Sequence, residues 1–478
     1  MIKFWKAIDL KEKINILLLF FSFFLIGFFD VITISIIPVA LTYVISPDAF
    51  LAFLPDSSFK KYFIFNFQSL SIELKIIYGS IVIISAFLLK NFVVYGIYFY
   101  ESTFLRNLKL KLQNNVYLSY LNKNYLNFFN FSQTEMIRDN EFCNNTISYL
   151  RSWLVAFKEI IIITGLYLAI LINDKNIALF IIFFLPIFLL IQFFLSKKIK
   201  LWGIQLTIYR SNIIDVIRET FDFFAEIKIF KKRKFFFQRF LNEIDNYEEK
   251  IYYQKLISYF YKPFFEIVFI FFVFLAIYYF YVNEYSLNQI IPTISLIIFA
   301  FIRILPSINA LLTSINSIRF FGKSASIVLS KFKNLEFSSL IKKEKIKQIE
   351  FDKEIYLDKI NFQYKDEKNY LLKNISFKIN KNDKIAILGK NGSGKTSLIN
   401  IISGLLPFNS GNIILDKKIK IKSSDKFLWK KSSYFKQNSS LLKNSIKSNL
   451  LLFDNDIFKK NRFDKMMRLI DYKNNFSK

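Results

Sequence analysis

The chain contains no histidine and one cysteine, Cys143, among 478 residues. Without imidazole there is no histidine-based catalytic triad, no His-ligated zinc and no histidine general base anywhere in it. A lone thiol makes neither an internal disulfide nor a CxxC metal site, so Cys143 reads as a small buried residue. Glycine and proline are scarce as well, at 11 and 8, and no Gly/Ser-rich tract, Pro-rich tract or solenoid repeat occurs. Acidic side chains number 37 against 66 Lys and Arg, a formal charge of +29. What the chain has instead is apolar bulk: 53% hydrophobic residues, with 60 Phe and 26 Tyr. A basic chain suggests nucleic acid, but continuous apolar runs point to anionic lipid headgroups and away from nucleic acid. The joint abundance of Lys, Asn, Ile and Phe also fits an AT-rich genome, which leaves part of the charge as composition.

Crossing a bilayer takes about 20 predominantly apolar residues. Six runs qualify, some with polar interruptions: Ile14–Val44, Ile72–Tyr100, Trp153–Ile172, Ile177–Leu195, Phe264–Val282 and Ile290–Leu312. The first follows Lys3, Lys6, Lys11 and Lys13 but is too long for a signal peptide and lacks a small-residue cleavage site, so it reads as an uncleaved anchor. Long polar-patterned segments, 101–150 and 196–262, alternate with short turns at 173–176 and 283–289. Basic residues crowd the long segments, among them Arg106, Arg138, Lys197, Arg210 and the run Lys231–Lys234. The positive-inside rule then places both termini and both long segments in the cytoplasm, with helices that continue the spans beyond the membrane. The stretch Phe50–Leu54 in the first outer loop reads as a small interfacial helix. The division expected is a six-span membrane domain over 1–330, a Lys/Glu-rich linker over 331–349 and a soluble domain over 350–478 that opens with strand-like segments.

Within that soluble domain, Lys384–Leu388 reads as a buried strand leading into Gly389-Lys-Asn-Gly-Ser-Gly-Lys-Thr396 and a helical stretch Ser397–Leu405. This is a Walker A signature in strand–loop–helix context. Gly389, Gly392 and Gly394, with Asn391 and Ser393 between them, allow a tight backbone path that points amides at a polyphosphate. Ser397 opens the helix that follows. Lys395 is expected to reach the β- and γ-phosphates of ATP, and the Thr396 hydroxyl to ligate Mg2+.

Six spans with long cytoplasmic extensions followed by this P-loop resemble an ATP-binding cassette (ABC) exporter in half-transporter form, with a six-helix type I membrane domain and an α/β P-loop NTPase domain in one chain. The resemblance implies dimerisation, with a second copy or with another half-transporter. Ile360–Tyr364 resembles the family's adenine-stacking loop, making Tyr364 either the platform for the base or a strand tyrosine filling the core. Leu428–Gln437 with Ser445–Asn449 resembles the Q-loop region, where Gln437 would contact Mg2+ or is simply a surface glutamine. Asn127–Asp139 and Glu219–Lys228 sit where the family has its two coupling helices, or are solvated loops. No LSGGQ-like signature, no Walker B strand ending in Asp-Glu and no switch histidine occurs before Lys478. The resemblance therefore implies that the C-terminal half of the nucleotide domain is absent and that this chain binds nucleotide without hydrolysing it.

Cations inside spans are costly and usually functional or paired. Lys90, Lys262 and Arg303 lie in or beside apolar runs; facing a cavity they would form a lining suited to a phosphate or pyrophosphate headgroup. The other reading is ion pairing with Glu101, Glu266 or lipid phosphate. Phe29–Pro38 and Arg303–Ser307 resemble segments of the bacterial flippase for lipid-linked oligosaccharides, and Lys90, Lys262 and Arg303 fall at positions where that flippase has basic residues in its cavity. That likeness implies a bacterial inner-membrane protein whose cargo is such a lipid; the alternatives are a related exporter of lipids, drugs or peptides, and a subunit that only binds nucleotide as the inactive partner of a complete one.

Overall fold

The computed structural model describes residues 9–45, 71–121, 133–173, 184–282, 287–332, 347–364, 369–423, 427–429, 433–435 and 441–445, besides isolated residues. The chain divides into two compact units, Met1–Lys343 and Glu344–Lys478.

Unit one is helical: α1 Leu10–Ile45, α2 Ile72–Leu121, α3 Gln133–Asn173, α4 Phe184–Asp222, the short α5 Phe224–Ile229, α6 Arg233–Val282 and α7 Leu287–Phe332. Three described stretches, Leu10–Asp30, Ile76–Leu121 and Arg233–Leu275, are long and apolar enough to cross a membrane. Their side chains show how. On α1, Ile16, Leu19, Phe23 and Ile26 recur at helical spacing and are buried, while Leu17, Phe21, Phe24 and Phe28 on the other face are exposed. A helix apolar all round with only one face covered by protein is suited to lipid on the other. Helix α2 changes character along its length. Ile81, Leu88, Phe92, Tyr95 and Phe99 are exposed, whereas Phe104, Leu105, Leu108, Leu112 and Val116 are buried beneath polar neighbours. The apolar stretch thus gives way to an amphipathic continuation near residue 101 within one helix.

Helices α1, α2, α3 and α7 share one core around Phe23, Leu112, Leu150, Leu154 and Val328. Cys143 lies in it, fully buried, and burial pushes its thiol up to about 12. A second core joins α4, α6 and α7 through Ile199, Leu206, Phe320, Tyr261, Phe265 and Leu312. The extensions are fastened by charge. Arg210 of α4 grips Glu141 of α3 with two hydrogen bonds of 2.6 Å. Asp139 is fully buried and accepts from Tyr120 at 2.7 Å, from Arg138 at 3.0 and 2.9 Å, and from Lys331 in the last turn of α7.

Unit two has strands β1 Lys347–Ile349, β2 Glu354–Phe362, β3 Leu372–Asn380, β4 Ser410–Leu415, β5 Ile419–Lys422 and β6 Phe427–Trp429, with one described helix, α8 Lys395–Ile402. An antiparallel sheet runs in the order β3-β2-β4-β5, and β1 pairs with β6 in parallel. Strand β2 buries Ile355 and Leu357, then Ile360 and Phe362. The step of three is absorbed where the register shifts, with Lys359 at φ 48°. Asp416 and Lys417, both left-handed, begin the three-residue connection between β4 and β5, which the Lys418 N–H closes by donating to the Leu415 carbonyl at 2.9 Å. The Asp416 carboxylate accepts the backbone N–H groups of Asp352, Lys353 and Glu354 at 2.7, 2.7 and 2.9 Å.

One expectation fails. Residues 384–388 form no strand, and Ile385 and Leu388 are exposed, the latter to 91%. A central strand of a parallel sheet is made by partners on both edges and helices on both faces. Among the described residues no strand pairs with this segment, so its apolar run has nothing to be buried against. The helix after the loop also starts earlier than the pattern predicts, at Lys395.

Candidate functional site

The P-loop has the backbone its sequence demands. Gly392 and Gly394 sit at φ 82° and 89°, a region in which a side chain is strained. Gly394 caps α8, and a Cβ there would stand 2.8 Å from the Leu372 side chain. At Gly389 a Cβ would meet the Ser393 hydroxyl at 2.8 Å. Asn391, Gly392, Ser393 and Thr396 are exposed around the mouth of the loop, while Ser397 is buried. The Lys395 ammonium donates to the carbonyls of Gly389 and Lys390 at 2.7 and 2.8 Å. Its described partners are thus neutral loop carbonyls, which leaves its full charge over the mouth. That arrangement fits a polyphosphate: a cation without a carboxylate partner, an open loop and a helix N-terminus behind it.

Tyr364 reaches the same helix from the sheet. Its hydroxyl is 3.0 Å from Ser397 Oγ, and its ring stands edge-on to Phe362 at 4.8 Å. The structure therefore brings Tyr364, the loop and the first turn of α8 together. Gln437 lies outside the described residues. Just before it, Tyr434 donates to the buried Asn400 of α8 at 3.0 Å, and the Trp429 indole donates to the Ile402 carbonyl at 2.7 Å. Neither contact was legible in the sequence, although aromatic residues set between the lysines and serines of 428–436 were the available signal.

Two of the three membrane-domain cations have described side chains, and each stands beside a carboxylate of its own. Lys90 on α2 is paired with Asp30 on α1, and both side chains are about nine-tenths buried, at 11 and 12% exposure. Its counter-ion is thus Asp30, not Glu101, which faces Arg151 at 3.3 Å. Lys262 on α6 is 66% exposed and stands 4.0 Å from Glu266, one turn along the same helix. Arg303 is on α7, and its side chain lies outside the described residues.

Comparison with known proteins covers both units. Residues 16–305 match the family described as ABC transporter transmembrane region, and residues 372–477 match the family described as ABC transporter. An ABC transporter ATP-binding protein of Clostridium tetani is 36% identical over 111 residues, 23% of this chain and 23% of that protein. The ABC transporter ATM1 of Plasmodium falciparum is 40% identical over 83 residues, covering 17% of this chain and 8% of its own. The glutathione/L-cysteine transport system ATP-binding/permease protein CydD of Haemophilus influenzae is 39% identical over 85 residues, 18% of this chain and 14% of that protein. The chain spans less than a quarter of the length of these relatives. The domain over 372–477 is of the kind that binds ATP with Mg2+, in agreement with the open loop and the free charge of Lys395. With a transmembrane region matched over more than half its length and an ATP-binding domain behind it, the chain belongs to the ABC transporter family.

Proposed function

We propose that this chain is one subunit of an ATP-driven exporter in a bacterial inner membrane, which moves a lipid-linked oligosaccharide or a related lipid. The observation that supports it most is the Lys395 ammonium over an open P-loop, with no carboxylate partner among the described residues, in a chain whose other unit leaves apolar helix faces exposed, as contact with lipid requires. In this reading 1–330 is a six-span domain with cytoplasmic termini, 331–349 a linker and 350–478 the nucleotide domain. The subunit pairs with a second copy or with another ABC half-transporter. Bound ATP with Mg2+ supplies the free energy of association between two such domains. The chain's own residues do the rest. Backbone amides of 389–394 and the α8 N-terminus bind phosphate oxygens, and Lys395 turns from the loop carbonyls to the β- and γ-phosphates. Thr396 and Gln437 hold the metal, and Tyr364 swings from Ser397 to face the base. Glu219–Lys228, which contains all of α5 but its last residue, relays the change to the helices.

Lys90, Lys262 and Arg303 are the proposed contacts to cargo phosphate. The Asp30 partner of Lys90 and the exposure of Lys262 favour a second reading, an exporter of another lipid, a drug or a peptide, because a compensated cation attracts phosphate weakly. The test has two parts. Lys395→Ala should lower ATP affinity of the purified chain by at least about tenfold, and retained affinity would end the P-loop assignment. In proteoliposomes, alone or with a co-purifying half-transporter, Arg303→Ala should slow translocation of a polyprenyl-pyrophosphate oligosaccharide; unchanged flux moves the cargo to the second reading.

A further inference from the structure

A layer of polar side chains interrupts the apolar packing of α4, α6 and α7. Gln192, Tyr261 and Asn316 are 6, 0 and 1% exposed; Tyr261 packs with Phe265 and Leu312, and Ile199 and Phe320 belong to a second apolar cluster on the same helices. Asn316 donates to the Tyr261 hydroxyl at 2.5 Å, and Arg319 donates to Gln192 Oε1 at 2.9 Å. The bonding is incomplete. Gln192 Nε2 and Asn316 Oδ1 have no partner, and neither has Oδ1 of Asn309, seven residues earlier on α7. Turning either amide over exchanges its ends and still leaves one unpaired. Arg319 is half-buried, and among the described residues no carboxylate pairs with it. A guanidinium taken partly out of water beside an unpaired amide donor is costly unless a ligand completes the set.

The layer also has a defined depth. Gln192 is in the last turn of the apolar run Ile177–Leu195, Tyr261 one turn before Phe264–Val282, and Asn316 one turn beyond Ile290–Leu312. On the six-span reading proposed above, all three stand at the end of the spans that leads into the Lys-rich extensions, where lipid headgroups would lie. Arg319 is about 24 Å along α7 from Arg303, so this is not the cargo site proposed above.

We infer that Arg319 and Gln192, with Asn316 and Tyr261 behind them, form a binding site for a phosphate-bearing anion at headgroup depth. The guanidinium offers its free N–H groups and the charge, the Gln192 amide offers the unpaired donor, and the Tyr261–Asn316 bond fixes the floor. Arginine suits this task because its planar fork matches two phosphate oxygens at once. The source is an anionic lipid or free phosphate, and the inference stands whichever cargo is exported.

The experiment uses the full chain in detergent micelles. Native mass spectrometry counts bound phosphatidylglycerol against phosphatidylcholine, and calorimetry titrates inorganic phosphate in a parallel arm. The expected result is a preference for phosphatidylglycerol that Arg319→Gln lowers by about tenfold and Arg319→Lys restores in part. Gln192→Glu decides between binding and architecture, because it supplies an internal carboxylate to Arg319. It should abolish anion binding while thermal stability stays level or rises, whereas a purely structural layer would leave lipid binding unchanged. Phosphate binding without a lipid preference, lost in the same variants, assigns the site to free phosphate. Wild-type binding in both arms for Arg319→Gln and Gln192→Glu, or no anion binding by the parent chain, overturns the inference.

Discussion

Asp139→Ala should be among the most destabilising single changes in the helical unit. The carboxylate is fully buried and is shared by three donors from three helices: Tyr120 at the end of α2, Arg138 beside it on α3 and Lys331 at the end of α7. Lys331 also stands over the Tyr120 ring, 4.2 Å from its centroid. Removing the anion leaves Lys331, only 22% exposed, and Arg138, 17% exposed, without it. Breaking a buried pair from one side costs about 3–5 kcal/mol, because the partner charge stays behind. Lys331→Ala is the milder change. Asp139 keeps Arg138 and Tyr120, so the loss should be about 1–2 kcal/mol, the net worth of a charge-assisted bond with some packing. The double variant should lose less than the sum, since it removes both charges together. Thermal unfolding of the purified chain in detergent, repeated at two scan rates to expose irreversibility, measures all four proteins. Equal and additive losses for the two single variants would refute the claim that this carboxylate anchors the last turn of α7.

Two further outcomes follow from close contacts and from charge. At Gly203 of α4 a Cβ would stand 2.1 Å from the Phe320 carbonyl oxygen of α7. Gly203→Ala must part the two helices and should cost about 1–3 kcal/mol, whereas Gly322→Ala, whose nearest neighbour is Tyr149 at 4.0 Å, should be neutral or stabilising in the same melt. The Asp416 carboxyl is held below the usual range by the backbone N–H groups of Asp352, Glu354 and Lys353. A pKa lowered on folding gives stabilisation that is present above the unfolded value and is lost as pH falls through the folded one. Acid titration of the intact chain should therefore show an acid limb that Asp416→Ala flattens, and identical limbs would count against the turn assignment.

The sequence by itself determined the division of labour. Apolar runs of span length, Lys-rich extensions, and glycines and a Lys-Thr pair at P-loop spacing are local patterns, and each is set by a requirement that neighbouring residues meet alone. A span must be apolar over its length, and a phosphate loop must have left-handed glycines at Gly392 and Gly394. The amphipathic switch near residue 101 of α2 was legible for the same reason. Tertiary structure decided whatever depends on a distant partner. Lys384–Leu388 has a strand's composition but no described strand beside it, because pairing is a property of two segments. In the sequence Lys90 is either a cavity cation or half of an ion pair, and only the packing of α1 against α2 names its partner, Asp30. Arg319 drew no attention in the sequence, where it is one more basic residue beyond an apolar run. It stands out only once α4 and α6 are packed against α7, bringing Gln192 to its side and, among the described residues, no carboxylate. Charge count is written along the chain, but charge compensation depends on which helices meet.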